Sequence, residues 1–186
     1  MIDQPRYAEW VRLSHRTGRF EVFMVVVVQG LGKLDAVLTA QDAAYLTLPQ
    51  RERESVENSL DLTDRFTYSY LWVLGAYEIV RSMDQRCRQT PSPVDDTAAK
   101  LIRDTKHALE RVRVPLAKFE AARRFSDTDT TVAFPALDPQ HGIAWCVADG
   151  VFVTRKELSE CFMSMLRAIW LLTGGEWRVG RDHKAR

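Results

Sequence analysis

The sequence predicts a mainly α protein: a single-domain helical bundle of four to six helices, with a small β-hairpin at about 142–154 before the last helix. Three observations predict it. Long stretches repeat apolar residues at three- and four-residue steps, the period that gathers them on one helix face. The period changes once, where Ile143–Ala148 and Val151–Val153 flank Asp149-Gly150, a two-residue turn signal. The 186 residues suffice for one core, and no shift in composition divides them.

Residues 6–16 read as a short helix with Trp10 and Leu13 as its apolar contacts. From Phe20 the positions Phe20, Phe23, Met24, Val27, Val28, Leu31, Leu34 and Leu38 form a stripe five turns long. The four valines Val25–Val28 favour a strand by β-branching, but a strand has no use for so long a stripe, so a buried helix is expected. Leu48-Pro49 breaks it, and residues 50–58 form a charged, exposed helical piece. A central helix starts near Asp61 or Thr63, either able to cap it, and runs to about Gln89, where Thr90-Pro91-Ser92-Pro93 stops it. It is apolar around most of its circumference, as expected of an element surrounded by others.

A second long helix spans Asp95 to Phe125, with Leu101, Ile102, Thr105, Ala108, Leu109, Val112, Leu116 and Phe119 as core stripe and a kink expected at Pro115. Ser126–Asp129 is a loop, and Val132–Phe134 adds a third short strand. Thr154-Arg155-Lys156-Glu157 is a capping box opening the last helix, which buries Leu158, Cys161, Phe162, Met165, Ile169 and Leu172 and stops at Gly174-Gly175. Residues 1–175 are therefore the bundle with its inserted hairpin, and 176–186 a polar, basic tail.

Bulk properties exclude some function classes. A net charge of +1 gives no global field toward nucleic acid or an anionic membrane, so any such partner needs a local patch. Three widely spaced cysteines, Cys87, Cys146 and Cys161, fit neither a disulfide framework nor a metal knuckle, and read as reduced thiols of a cytoplasmic protein. Arg12, Arg16 and Arg19 before Val22–Val28 imitate a signal peptide. Acidic Asp3, Glu9 and Glu21 interrupt them, and the run is far short of the ~20 residues of a span, so no membrane is expected. His15, His107, His141 and His183 are scattered, so neither a metal nor a cofactor is expected. There is no phosphate-binding glycine loop and no Gly-x-Ser-x-Gly elbow.

Three groups carry whatever chemistry the sequence offers. Glu78 and Arg81, three apart in the central helix, can meet on one face, with Arg113 and Glu120 of the next long helix as their expected partners. This cluster is expected to be closed, an internal bridge rather than a catalytic site. Lys100, Arg103, His107, Arg111 and Lys118 form a narrow basic stripe opposite the core, able to follow a phosphate backbone. Arg178-Val179-Gly180-Arg181-Asp182-His183 places an arginine and a histidine in the tail with four residues between them.

With that pairing, two long helices and polar residues between them, the chain resembles the HEPN family of all-helical domains. The resemblance implies a dimeric ribonuclease of a toxin, defence or RNA-processing system, with Arg178 and His183 as its catalytic candidates, or a non-catalytic relative. The residues themselves favour a helical binding or regulatory module acting through a protein partner or as a homo-dimer. A HEPN-like ribonuclease or nucleotide-processing protein is the alternative, and nucleic-acid binding through the basic helix face a third reading.

Overall fold

The computed structural model describes residues 1–173. These form six helices and one three-stranded antiparallel sheet, the mainly α architecture that the apolar periodicity predicts. Helix α1 (Gln4–Ser14) starts where the Asp3 carboxylate accepts the Arg6 backbone N–H at 3.0 Å. Pro5 fits in its first turn, where a missing N–H leaves no helical bond unmade. A tight turn over His15–Arg19 leads into α2 (Met24–Thr47). After the extended Leu48 come the single turn α3 (Gln50–Arg53) and the long α4 (Val56–Cys87).

Helix α4 begins earlier than the Asp61 or Thr63 that the sequence suggests. The Ser55 hydroxyl accepts the Asn58 N–H at 3.2 Å and so caps the charged segment into the same helix. Helix α5 (Asp96–Lys118) is capped by Asp95, runs through a buried Pro115, and ends where Phe119 takes a left-handed conformation (φ 59°). Ile102, Thr105, Leu109 and Val112 are buried as the stripe predicts. Phe119 is exposed, because the helix stops before it instead of continuing to Phe125.

Strands β1 (Phe134–Asp138), β2 (Gly142–Ala148) and β3 (Val151–Thr154) pair in that order, with Ala136 opposite Ala144 and Trp145 opposite Val153. The strand expected at Val132–Phe134 thus begins at Phe134. β2 is the central strand and buried along nearly its whole length, as its unbroken apolar run requires. Helix α6 (Arg155–Leu172) follows at once, with the Thr154–Glu157 capping box fully formed. Gly174-Gly175 lies outside the described residues.

Trp10, Trp72 and Trp145 anchor the core, and the Trp10 ring meets Phe162 edge-on with centroids 5.3 Å apart. Helices α2 and α4 run antiparallel: Glu21 pairs with Arg86 at one end and Asp42 with Arg65 at the other. Between them the Trp72 Nε1 donates to the Leu31 carbonyl at 3.1 Å. Gly32 lets α1 approach closely, since a Cβ there would collide with the Trp10 side chain.

Helix α2 corrects one expectation. Its buried face is Met24, Val28, Gly32, Asp35, Ala36, Leu38, Asp42 and Tyr45. Phe23 and Val27 of the expected stripe point outward. Helices α1 and α4 cover α2 from one side only, and two aspartates occupy the place of apolar core residues.

Candidate functional site

Those two aspartates organise the most heavily charged part of the interior. Asp35 and Asp42 lie seven residues apart on the inner face of α2, where two helical turns bring side chains into line. Asp35 accepts from Arg6 of α1, from Trp10 Nε1 at 2.8 Å, and from Arg155 at the start of α6. Asp42 accepts from Arg65 of α4 at 2.9 Å and from Arg155 at 3.3 Å. Arg155 also donates to the Thr39 hydroxyl at 3.2 Å, and Arg65 lies 4.2 Å over the Tyr45 ring while donating to Asp61 at 3.1 Å. Arg6 continues to Ser159 and Glu160. Burial alone would lower the Arg6 pKa, but Asp35 and Glu160 outweigh it and hold the guanidinium above its ordinary value.

The result is an alternating row, Arg6–Asp35–Arg155–Asp42–Arg65, tying four helices together with almost no solvent access. Its carboxylate oxygens all accept hydrogen bonds, so neither aspartate is poised as a base. A recess of about 50 Å³ opens beside it among Thr39, Asp42, Gln140, His141, Arg155 and Lys156. That is room for a water or two and for no substrate. His141 Nδ1 lies 3.0 Å from Asp138, whose carboxylate also accepts the Gln140 and His141 backbone N–H groups, so this pair shapes the β1–β2 turn. Nothing in the spacing of Arg6, Asp35, Asp42, Arg65 and Arg155 marks them as partners, because each comes from a different element or turn. The one local signal is a pair of aspartates in a mostly apolar helix.

The structure brings Glu78, Arg81 and Arg113 together and leaves Glu120 out. Arg81 Nε donates to Glu78 at 2.8 Å, and Arg113 reaches the other Glu78 oxygen at 3.6 Å while stacking 4.9 Å over Tyr77. Glu120 lies past the end of α5, exposed and in no ion pair among the described residues. The cluster expected to be closed is open: the Glu78 and Arg81 side chains are 46% and 43% exposed. Helix α5 covers Tyr77 but not the next residue round α4. Burial and nearby Glu110 push the Tyr77 hydroxyl pKa up.

On α5 the basic stripe is largely neutralised. Lys100 pairs with Asp104 at 2.9 Å, Arg103 approaches the buried Asp84 at 3.6 Å, and His107 pairs with Glu110 at 3.1 Å. Arg111 forms a two-pronged bridge to Asp129 at 2.7 and 2.9 Å and stacks on Phe125. Lys118 has no ion pair among the described residues. Beside the stripe, a groove of about 520 Å³ runs between α5, β3 and α6, lined by His107, Arg111, Arg124, Phe125, Phe152 and Cys161. Burial and Asp84 raise the Cys87 pKa, which keeps that thiol a poor nucleophile. No three His, Cys, Asp or Glu residues are grouped to hold a metal among the described residues. Arg178 and His183 lie outside the described residues.

Exposed apolar surface lies elsewhere, at and just before the start of α2 and on its neighbour α4. Val22, Phe23, Val26 and Val27 are 70, 77, 68 and 49% exposed, and Leu71 and Tyr68 of α4 are about half exposed. Leu31 lies against Gly75 of α4, and both Leu31 and Leu34 are half-buried against the core. With typical side-chain areas of about 100–200 Å², these six residues leave about 500–600 Å² of apolar surface in water, at the top of what a monomer usually exposes. Compared with known proteins, the chain matches no family model, no curated protein and no solved structure.

Proposed function

We propose that the chain is a helical interaction module that works by docking through the outer face of α2 and α4. The observation that carries this reading is the exposure of Val22, Phe23, Val26 and Val27 in a protein whose core already holds three buried tryptophans. Large apolar patches on a folded domain mark places where another surface sits. The charged clusters support the same reading by their chemistry. The carboxylates of the Arg6–Asp35–Arg155–Asp42–Arg65 row are fully engaged by buried arginines, and the recess beside them is too small for a substrate, while the Glu78–Arg81 pair is an open surface bridge. The α5 stripe has most of its positive charge matched by carboxylates, which leaves little for a phosphate backbone.

Helix α2 is long and apolar enough to cross a bilayer by length and composition. Asp35 and Asp42 tie its other face to three arginines of the same molecule, which favours a protein surface over lipid as its setting. Placing a photo-cross-linking side chain at Val26 in cells tests the reading. A protein adduct is expected there and none from the same group at Lys100. Adducts at neither position, or equally at both, would count against it.

A further inference from the structure

We infer that the partner on this face is a second copy of the chain, packed through a two-fold axis so that the α2–α4 surface of each protomer covers that of the other. The inference rests on the interaction-module reading and names its partner.

Area comes first. The uncovered apolar surface of about 500–600 Å² per protomer doubles, across a two-fold, to about 1,000–1,200 Å², the size at which specific protein interfaces begin. Spacing is the second observation. Phe23, Val27, Gly30, Leu34 and Val37 follow one another at alternating four- and three-residue steps, the pattern of a seam that receives another helix. Inside the molecule that seam is only partly filled: Leu34 packs against the core, while Phe23, Val27 and Gly30 stay exposed. At its middle stands Gly30, where an added Cβ meets no atom within 4 Å. A ridge with large residues on either side of such a notch can serve as both knob and hole, which an isologous contact requires.

Charge is the third. Glu21 pairs with Arg86 and Glu78 with Arg81, while Lys33 of α2 and Asp64 of α4 stand exposed in no ion pair among the described residues, one free charge of each sign. A strongly acidic or basic partner would find no field of one sign, whereas a face with matched pairs and one free charge of each sign can meet its own copy without a net like-charge clash. Helices α2 and α4 are also antiparallel neighbours, so the face is a broad two-helix surface able to meet its equivalent as a four-helix layer.

Gly30→Glu separates association from folding. The open space at Gly30 admits the side chain in the monomer, and glutamate is a better helix former than glycine. In a dimer the same carboxylate would sit in the apolar seam. Sedimentation velocity on the full chain at micromolar to submillimolar concentration should give a species of twice the 21.3 kDa chain mass for the wild type. Gly30→Glu, and independently Leu71→Asp, should give the single-chain mass with an unchanged circular dichroism spectrum. A wild-type chain that stays single over that range overturns the inference, as does a dimer that both variants leave intact. Binding to phosphatidylcholine–phosphatidylglycerol vesicles that Gly30→Glu abolishes, with no dimer in solution, overturns it in favour of a membrane surface. The Val26 cross-link distinguishes the two levels: an adduct of another mass with a single-chain wild type sinks the second copy and leaves the module, and no adduct sinks both.

Discussion

Gly142 lies directly against Asp42. A Cβ on the glycine would stand 2.7 Å from the carboxylate Oδ2, and the residue adopts φ +82°, where side chains are strained. The first residue of β2 is thus pressed against the inner face of α2, and the hairpin is locked onto the buried ion row. Gly142→Ala combines left-handed strain with a collision against a carboxylate that two arginines hold in place, and should lose about 2–4 kcal/mol of stability. Gly150 supplies the control. It too has positive φ (+67°), but its Cβ direction is open, so Gly150→Ala should lose only about 1 kcal/mol. Urea unfolding of the two variants measures the difference, and equal losses would mean that the contact with Asp42 adds nothing.

Asp35 takes donors from Arg6, Trp10 and Arg155, more than any other carboxylate in the row. Asp35→Asn strands two buried guanidinium groups with half their counter-charge and should cost about 3–5 kcal/mol. Arg155→Met leaves each aspartate one arginine, Arg6 or Arg65, and should cost less, about 2–3 kcal/mol. Chemical denaturation checks the order. Asp35→Asn at wild-type stability would show the row to be ornamental.

The open pair behaves differently. Glu78→Ala or Arg81→Ala removes a half-exposed bridge whose Coulomb energy water largely screens, so each should shift stability by no more than about 0.5–1 kcal/mol. A loss above about 2 kcal/mol would mean that this cluster is sealed in solution.

Asp84 sets the response to acid. Its side chain is buried, and burial raises its pKa, but the hydrogen bond from Lys106 at 2.9 Å and the charges of Lys106 and Arg88 outweigh that and hold it below the usual carboxylate range. A folded pKa depressed below the unfolded value of about 3.9 stabilises the protein fully above that value and loses the contribution as pH falls through the folded one. Asp84→Asn should therefore be less stable than wild type by about 1–2 kcal/mol at neutral pH, discounted because Arg88 is exposed. The two unfolding midpoints should converge as pH falls through the depressed folded pKa of Asp84. A gap that persists unchanged at low pH would assign the loss to packing and not to charge.

Much of the fold is legible because local signals agree with tertiary demand. The Thr154–Glu157 capping box and the Asp149-Gly150 turn each fix an element boundary from local side-chain and backbone chemistry. The α2 face is less legible. Its residues are apolar nearly all round, so periodicity alone cannot say which side meets the core, and Phe23 and Val27 read as buried when they are not. Asp35 and Asp42 are the informative exceptions: a buried carboxylate needs partners, and those partners stand 23 to 120 residues away. Spacing along the chain cannot foresee them. For Glu78 and Arg81 the helix spacing foretells the pair, while their exposure depends on where α5 crosses α4.

The docking surface is tested most directly by methyl resonances followed on dilution. The methyl signals of Val22, Val26, Val27 and Leu71 should move between a concentrated and a dilute sample, while those of the buried Ile102, Leu109 and Ile143 stay fixed. Concentration-independent spectra, or shifts confined to Val153 and Leu158 beside the α5–β3–α6 groove, would contradict a second copy seated on the outer face of α2 and α4.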